Sequence, residues 1–328
     1  MRAGQVSNLP TWPVSARSEA VSTAPRPLPN PPPTQRRQRR ASLGGRALAA
    51  AAKAPAALPA VAGLLGAGAL VAAATGRRRL ALAGAIGAVA ATVPAQMTPR
   101  HRGRPAGPAG APVRVVSFNV LWTNDDTDAI AAELERLDAD VVALFEVTDR
   151  HLSELDAVLG PHRVECCPDG AASGAVLASW RPLAASEVHS NRAIRVEIET
   201  DGGSPLSVWA VHPTSMRDSV DGVKAWVYEH EHLREQLAAD PSDVVVAVGD
   251  FNATPHHRLL RQTLRRGRLG LIRHPLAGGT WRHPTLGWLA SLDHVAVRGP
   301  VTVTGSGVGA ACGSDHRPVW ADLAVHHA

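Results

Sequence analysis

Val244-Val-Val-Ala-Val-Gly249-Asp250-Phe251-Asn252 is a run of valines that ends in a carboxylate and an amide. An apolar run of this length bounded by charge predicts a buried strand. Side chains alternate along a strand, so Asp250 and Asn252, two residues apart, are expected on one face. Few structural needs place a carboxylate and an amide together at the end of a buried strand.

Five other segments repeat the design. Val113-Arg-Val-Val-Ser-Phe118 ends in Asn119, Val141-Val-Ala-Leu-Phe145 in Glu146, and Leu206-Ser-Val-Trp-Ala-Val211 in His212. Ser291-Leu-Asp293-His294-Val-Ala-Val297 carries Asp293, and Gly313-Ser-Asp315-His316-Arg317-Pro318-Val319 carries an Asp-His pair. Each sets a polar residue where a strand meets a loop, the place where functional sites are grafted onto folds.

In this order, Asn119, Glu146, His212, Asp250 with Asn252, Asp293 and Asp315-His316 resemble the endonuclease/exonuclease/phosphatase superfamily over roughly residues 113–326, within a domain expected at 113–328. The resemblance implies an α/β fold: a four-layer sandwich of two packed mixed sheets flanked by helices. It also implies a metal-dependent hydrolase of phosphoester bonds. A phosphoester is an anionic electrophile, so charge must be neutralised, water activated and the leaving oxygen stabilised. Mg²⁺, or Mn²⁺ in its place, prefers oxygen ligands and keeps several waters, so few carboxylates suffice. Glu146 is the expected main ligand, Asn119 its neighbour on metal or phosphate, and Asp315 a ligand through water. By the same resemblance His316 and Asp293 form an acid–base couple, with Asp293 orienting the imidazole. Asp250 is the rival water-activating base, and the sequence does not choose between them. Asn252 is expected to donate to a phosphoryl oxygen. His212 is expected to bond the phosphate or to protonate a leaving group.

Two departures argue against abasic-site repair. Leu121 stands where abasic-site endonucleases carry an acid, and the single tyrosine, Tyr228, falls in a predicted helix. Trp122, Trp180 and His294 read as core or rim residues. Trp281 and Trp288, in a Gly/Pro-rich loop before Asp293, also read as core or rim residues, with substrate contact as the alternative. Arg317 is expected to support structure.

Charge divides the chain. Residues 1–112 hold 15 Lys+Arg and one acid, Glu19; residues 113–328 hold 19 Lys+Arg against 28 Asp+Glu, a formal −9. Such asymmetry implies regions with different partners. Residues 1–56 read as disordered, Pro-rich and basic. Segments 57–75 and 80–97 are uncharged and rich in Ala, Gly, Leu and Val, each near the roughly 20 residues needed to span a bilayer. They are read as two transmembrane helices, with an Ala/Gly linker as the alternative; 98–112 is a linker. The basic flanks outweigh the Arg77–Arg79 turn, which would keep both ends in the cytoplasm. Against that, Arg39-Arg40-Ala-Ser-Leu43 resembles a twin-arginine export signal. The layout also resembles membrane-bound phosphoesterases of the glycopeptide-resistance (VanJ) type. The expectation is therefore a multi-pass cell-membrane protein with an extracytoplasmic catalytic domain.

The substrate expected is a phosphorylated small molecule or lipid, a phosphate ester or pyrophosphate. A DNase I-like nuclease is the alternative, disfavoured by an acidic domain because nucleic-acid affinity comes from neutralising phosphates. Arg258, Arg261, Arg265, Arg266 and Arg268 form a local basic cluster that reads either as a solvated helix face or as compensation for that charge. Nothing calls for an obligate protein partner. The three cysteines read as buried free thiols, and no Cys/His spacing suggests zinc.

Helices are expected at 127–137, with Asp125 or Asp126 as cap, at 220–237 and at 258–264. Strands are expected at 113–118, 141–145, 175–179, 193–199, 206–211, 244–249, 292–297, 301–304 and 319–325.

Overall fold

The computed structural model describes residues 101, 110–166, 174–189, 192–201, 205–215, 220–274 and 279–326. One sheet is built from β1 (Val113–Asn119), β2 (Val141–Phe145), β3 (His162–Cys166), β4 (Ala175–Ser179), β13 (Val301–Val308) and β14 (Val319–Val325), in the order β13-β14-β1-β2-β4-β3. The second contains β5 (Leu183–His189), β6 (Ala193–Ile198), β7 (Leu206–Val211), β8 (Val244–Asp250), β9 (Gly270–Leu271) and β12 (Asp293–Arg298), in the order β5-β6-β7-β8-β12-β9. A separate hairpin pairs β10 (Trp281–His283) with β11 (Gly287–Ala290).

Each large sheet has a parallel pair at its centre, β1 with β2 and β7 with β8. Parallel neighbours need a crossover, and a helix supplies each one. α1 (Thr127–Leu137) joins β1 to β2, and α3 (Val220–Ala239) joins β7 to β8. Asp126 caps α1 by accepting from the Ala129 amide at 3.3 Å. α2 (Asp149–Glu154) and α4 (Arg258–Arg266) complete the helices among the described residues.

Strand periodicity sorts the core into layers. Val113, Val115, Val141, Ala143 and Phe145 share one cluster with Val208, Ala210, Val246, Val248 and Val295, sealing the sheets face to face. The alternate residues Val116, Phe118, Val142 and Leu144 pack with Ile130, Leu134 and Leu137 of α1. Trp209, Val245 and Ala247 pack with Trp226, Leu233 and Leu237 of α3 and with Leu260 and Leu264 of α4. Two packed mixed sheets flanked by helices are the expected sandwich.

The expected strands are all present, and the last of the short ones is longer than expected. β13 continues to Val308 through Gly305 and Gly307. A Cβ on Gly307 would stand 2.7 Å from Trp320 Nε1, so glycine there admits the indole rather than ending the strand. β3, β5, β9, β10, β11 and α2 escape the sequence reading. β5 alternates weakly and is mostly exposed at a sheet edge, so it lacks an apolar signature. Cys166 is disulfide-bonded and Cys312 is a free, half-buried thiol, so the free-thiol reading holds only for the latter.

The membrane placement is corrected. Among the described residues no helix is long and apolar enough to cross a membrane. Even the 20-residue α3 carries acidic, basic and histidine side chains along its length. The expected spans 57–75 and 80–97 lie outside the described residues. A multi-pass protein with an extracytoplasmic domain is not carried forward.

Candidate active site

The parity that builds the core also aims the site. Residues 113 and 115 of β1, 208 and 210 of β7, 246 and 248 of β8, and 295 and 297 of β12 face the seam between the sheets. Two-residue steps from each series lead to Asn119, His212, Asp250 and Asp293. All four are buried, none more than 4 % exposed. β1 and β2 end together, β7 and β8 end together, and Asp293 pairs with Asp250 across β12 and β8. Four strands thus deliver polar side chains to one end of the seam.

Asp250 is the hub. Its Oδ2 accepts from Asn119 Nδ2 at 3.2 Å and stands 3.8 Å from His212 Nε2 and 3.6 Å from His316 Nε2. Asn119 Nδ2 also donates to Glu146 Oε1 at 3.2 Å, so one amide joins two carboxylates. His316 Nδ1 bonds Asp293 Oδ2 at 2.9 Å. The imidazole therefore lies between Asp293 and Asp250. The His212 ring packs against Phe145, centroids 5.3 Å apart.

Glu146 does not follow from strand parity. A simple continuation of β2 would turn it toward the helix layer. It takes φ 57 instead, a left-handed conformation rare outside glycine, which redirects its side chain to the seam. The Trp122 amide then donates to Glu146 Oε2 at 3.4 Å. Leu121 is also left-handed, with φ 65, and its amide donates to Asn119 Oδ1 at 3.1 Å.

Asn252 corrects the same-face reading of the opening motif. β8 ends at Asp250, Phe251 enters the helix-side core, and Asn252 turns left-handed with φ 47. Its amide donates to Asp250 Oδ1 at 2.8 Å, and its Nδ2 donates to Pro213 O at 2.9 Å. Asn252 thus ties the Asp250 loop to the His212 loop. Alternation fails here because it holds only while the backbone stays extended.

Asp315 turns its carboxylate to the β10–β11 hairpin. Its Oδ2 accepts from Trp281 Nε1 at 3.2 Å, and its carbonyl accepts from the Arg282 amide at 2.8 Å. Trp281 also bridges to the His316 backbone. The β10–β11 hairpin is therefore stitched along the His316 segment, which no local sequence signal reveals. Thr280 Oγ1 accepts from the amides of Leu292 and Asp293, each at 3.1 Å. Arg317 lies over the Trp288 ring, 3.7 Å from its centroid. On the other flank, Ser314 Oγ donates to Asn119 O at 2.7 Å and accepts from the His316 amide at 3.0 Å. Tyr228 is half-exposed on α3, its ring tilted against that of His232.

Electrostatics follow from this packing. Burial alone would lower the His316 pKa, but the charges of Asp293 and Asp250 override it and push it up to about 10. Burial raises the Glu146 carboxyl, against its bonds from Asn119 and Trp122 and with the added repulsion of Asp250. His294 is forced down to about 4 by burial and bonds the Ala253 carbonyl, a neutral core histidine.

The residues fit a hard divalent cation. Buried Asp250 and Asp293 and half-buried Glu146 bring three carboxylates to one end of the seam, and Asp293 Oδ1 is buried without a hydrogen-bond partner. Like charges so placed favour a cation among them. Asp250, Asp293 and His316 offer ligand atoms within 4.8 Å of one another and form a candidate metal group. The bond from His316 Nδ1 to Asp293 gives the same residues the geometry of a relay.

The family described as Endonuclease/Exonuclease/phosphatase family matches residues 116–316. No curated protein matches this chain. Solved structures share the fold. A humanized Danio rerio TDP2 is 16% identical with TM-score 0.53, covering 65% of this chain and 98% of that one. A Bacteroides thetaiotaomicron protein of the same family is 16% identical with TM-score 0.54, covering 68% and 99%. A Bacteroides thetaiotaomicron mannosyl-6-phosphatase is 16% identical with TM-score 0.52, covering 64% and 99%. None of the three names the VanJ-type branch. With the match spanning more than half its length and six motifs gathered at one seam, this chain belongs to the Endonuclease/Exonuclease/phosphatase family.

Proposed function

We propose that this protein is a divalent-metal-dependent phosphoesterase that hydrolyses a phosphate ester or pyrophosphate at the Asp250 seam. The carrying observation is the convergence of Asn119, His212 and His316 on one Asp250 oxygen, beside Glu146. Glu146, with Asn119 beside it, would hold Mg²⁺ or Mn²⁺. When bound, the ion neutralises phosphoryl charge and orients water.

The side chains divide the remaining work. Asp293 fixes the His316 ring through Nδ1 and leaves Nε2 facing Asp250. With Nδ1 held by Asp293, Nε2 is the His316 atom left to meet a phosphoryl oxygen. That leaves Asp250 to take the proton of the attacking water. His212, donor to a phosphoryl oxygen or acid to the leaving oxygen, flanks the same carboxylate. Asn252 acts by holding the His212 and Asp250 loops together, and its second Nδ2 hydrogen is available to substrate. Asp315 contributes a nearby negative charge from its bond to Trp281.

The substrate class is open to direct assay. A mannosyl phosphatase among the structural neighbours is consistent with a phosphorylated small molecule. The arginines of α4 favour a second reading, a phosphodiester of nucleic acid. The test is turnover of a sugar phosphate, an isoprenyl pyrophosphate and plasmid DNA, with and without Mg²⁺. Glu146→Gln keeps shape and removes charge, and should lower kcat at least ~10²-fold on whichever substrate is turned over. Full activity in EDTA, or in Glu146→Gln, would refute the assignment.

A further inference from the structure

The site is assembled from parts that meet at Asp250. Asn119 and Glu146 come from the ends of β1 and β2, and His316 comes from the loop that joins β13 to β14. For these parts to meet, that loop must be held against the end of β1. Its last turn before the His316 motif is not a relaxed one. Cys312 and Gly313 are consecutive left-handed residues, with φ 48 and φ 83. An L-residue such as Cys312 keeps that conformation only where its surroundings impose it.

Asn124 supplies the constraint. It lies in the connection from β1 to α1 and is buried. Its Nδ2 donates to Val120 O at 3.1 Å and to Cys312 O at 2.8 Å, so one amide joins the exit of β1 to a residue 188 positions away. Its Oδ1 accepts from the Asp126 amide at 3.1 Å. Its own amide donates to Leu121 O at 2.8 Å, and its carbonyl accepts from His151 Nε2 at 2.7 Å. With both amide hydrogens and the side-chain oxygen engaged, the side chain is fixed in one orientation. A Cβ on Gly313 would stand 2.4 Å from Asn124 Oδ1, so the loop lies against this side chain closer than any residue but glycine allows.

Other contacts hold the loop at different points. Glu133 of α1, paired with Arg136 at 2.6 and 2.7 Å, accepts from the Ala310 amide at 2.8 Å and so anchors the start of the loop. Ser314 Oγ, on the loop itself, bonds Asn119 O and the His316 amide. Asn124 is the side chain that reaches from the β1 exit to the strained Cys312, four residues before His316.

We propose that Asn124 is a positioning residue. By tying Val120 O, next to Asn119, to Cys312 O, it sets the place of the His316 imidazole relative to Asn119 and Asp250. It is not itself a reacting group. The role rests on the phosphoesterase reading of the site. Loss of a buried donor leaves its carbonyl partners unpaired, which favours movement of the loop. A shift of about 1 Å at a reacting group costs about 10²-fold in rate.

The test uses the full chain with Mg²⁺ and two variants. Asn124→Asp keeps the shape and removes both Nδ2 donors. Asn124→Ser avoids a buried carboxylate and keeps an acceptor for the Asp126 amide, yet is too short to reach Cys312 O. Alkylation of Cys312 by iodoacetamide, located by peptide mass spectrometry, reads the loop without turnover. Cys312 is a half-buried free thiol, so release of the loop in either variant should speed its alkylation at least ~5-fold. The kcat on p-nitrophenyl phosphate or its diester should fall at least ~10-fold, with a smaller change in KM. In the His316→Ala background Asn124→Ser should cost almost nothing further, because the imidazole it positions is gone. A side chain that only stabilised the fold would add its full loss there. Unchanged Cys312 alkylation, wild-type kcat, or log-additive losses with His316→Ala overturns the role. A wild-type chain that hydrolyses neither ester, with Cys312 still released by Asn124→Ser, keeps the tie to the loop and refutes the phosphoesterase reading instead.

Discussion

At the scale of the residue, the decisive group is His316. Its ring is buried between two carboxylates, bonded to Asp293 and facing Asp250. Residues that act as one unit give losses that do not add. His316→Ala should therefore hide nearly all the effect of Asp293→Asn in the double variant. Log-additive losses in kcat would show that Asp293 acts independently of the imidazole. Much of this pair was legible in sequence, because each member sits beside a strand in a short polar motif. Glu146 was marked as a strand-end candidate too, but its orientation was not legible. A left-handed φ at a glutamate has no sequence signature, and only the finished backbone turns it to Asn119.

At the scale of the element, the β7–β8 pair sets the spacing of His212 and Asp250. Val211 and Gly249 are register partners, each one residue before its functional neighbour. A Cβ on Gly249 would stand 1.9 Å from the Val211 carbonyl oxygen. That contact is with backbone and cannot be relieved by a rotamer. Gly249→Ala should force the strand ends apart, destabilise by about 1–3 kcal/mol and lower kcat at least ~10-fold. Chemical denaturation and steady-state kinetics check the two halves separately. Wild-type values for both would show that the close approach has no bearing on the site. The hairpin teaches the converse lesson. Trp281 and Trp288 were visible as loop aromatics, yet their docking on Asp315 and Arg317 depends on segments more than 25 residues away in sequence.

At the scale of the whole molecule, buried ionisable groups shape stability against pH. Burial pushes His230 and His294 down to about 4, and each bonds a backbone carbonyl. Their unfolded pKa is near 6.5, so the unfolded chain takes protons first as pH falls. The stability they support is complete above about 6.5 and is lost from there toward 4, by up to ~3 kcal/mol for each. His316 has the opposite sign: its contribution is complete below about 6.5 and is lost as pH rises toward 10. Asp240, bonded by Arg195, Ser207 and Trp209, is held well below the usual carboxylate range and weakens the fold only at still lower pH. Urea unfolding should therefore show free energy falling between pH 6.5 and 4.5. A flat profile there would mean that the two core histidines are protonated in the native state.

Taken alone, the sequence marked most of the strands and the candidate site residues at their ends, because two-residue periodicity and strand-end polarity are local properties; the four layers came with the family resemblance. The formal charge of residues 113–328 was also legible, and it argued against nucleic acid. Only the tertiary structure decided that Asp250 is the hub, that Asn252 braces two loops and that Asp315 turns to Trp281. The physical reason is that such convergence depends on sheet register and left-handed turns, which join residues far apart in the chain and leave no pattern among near neighbours.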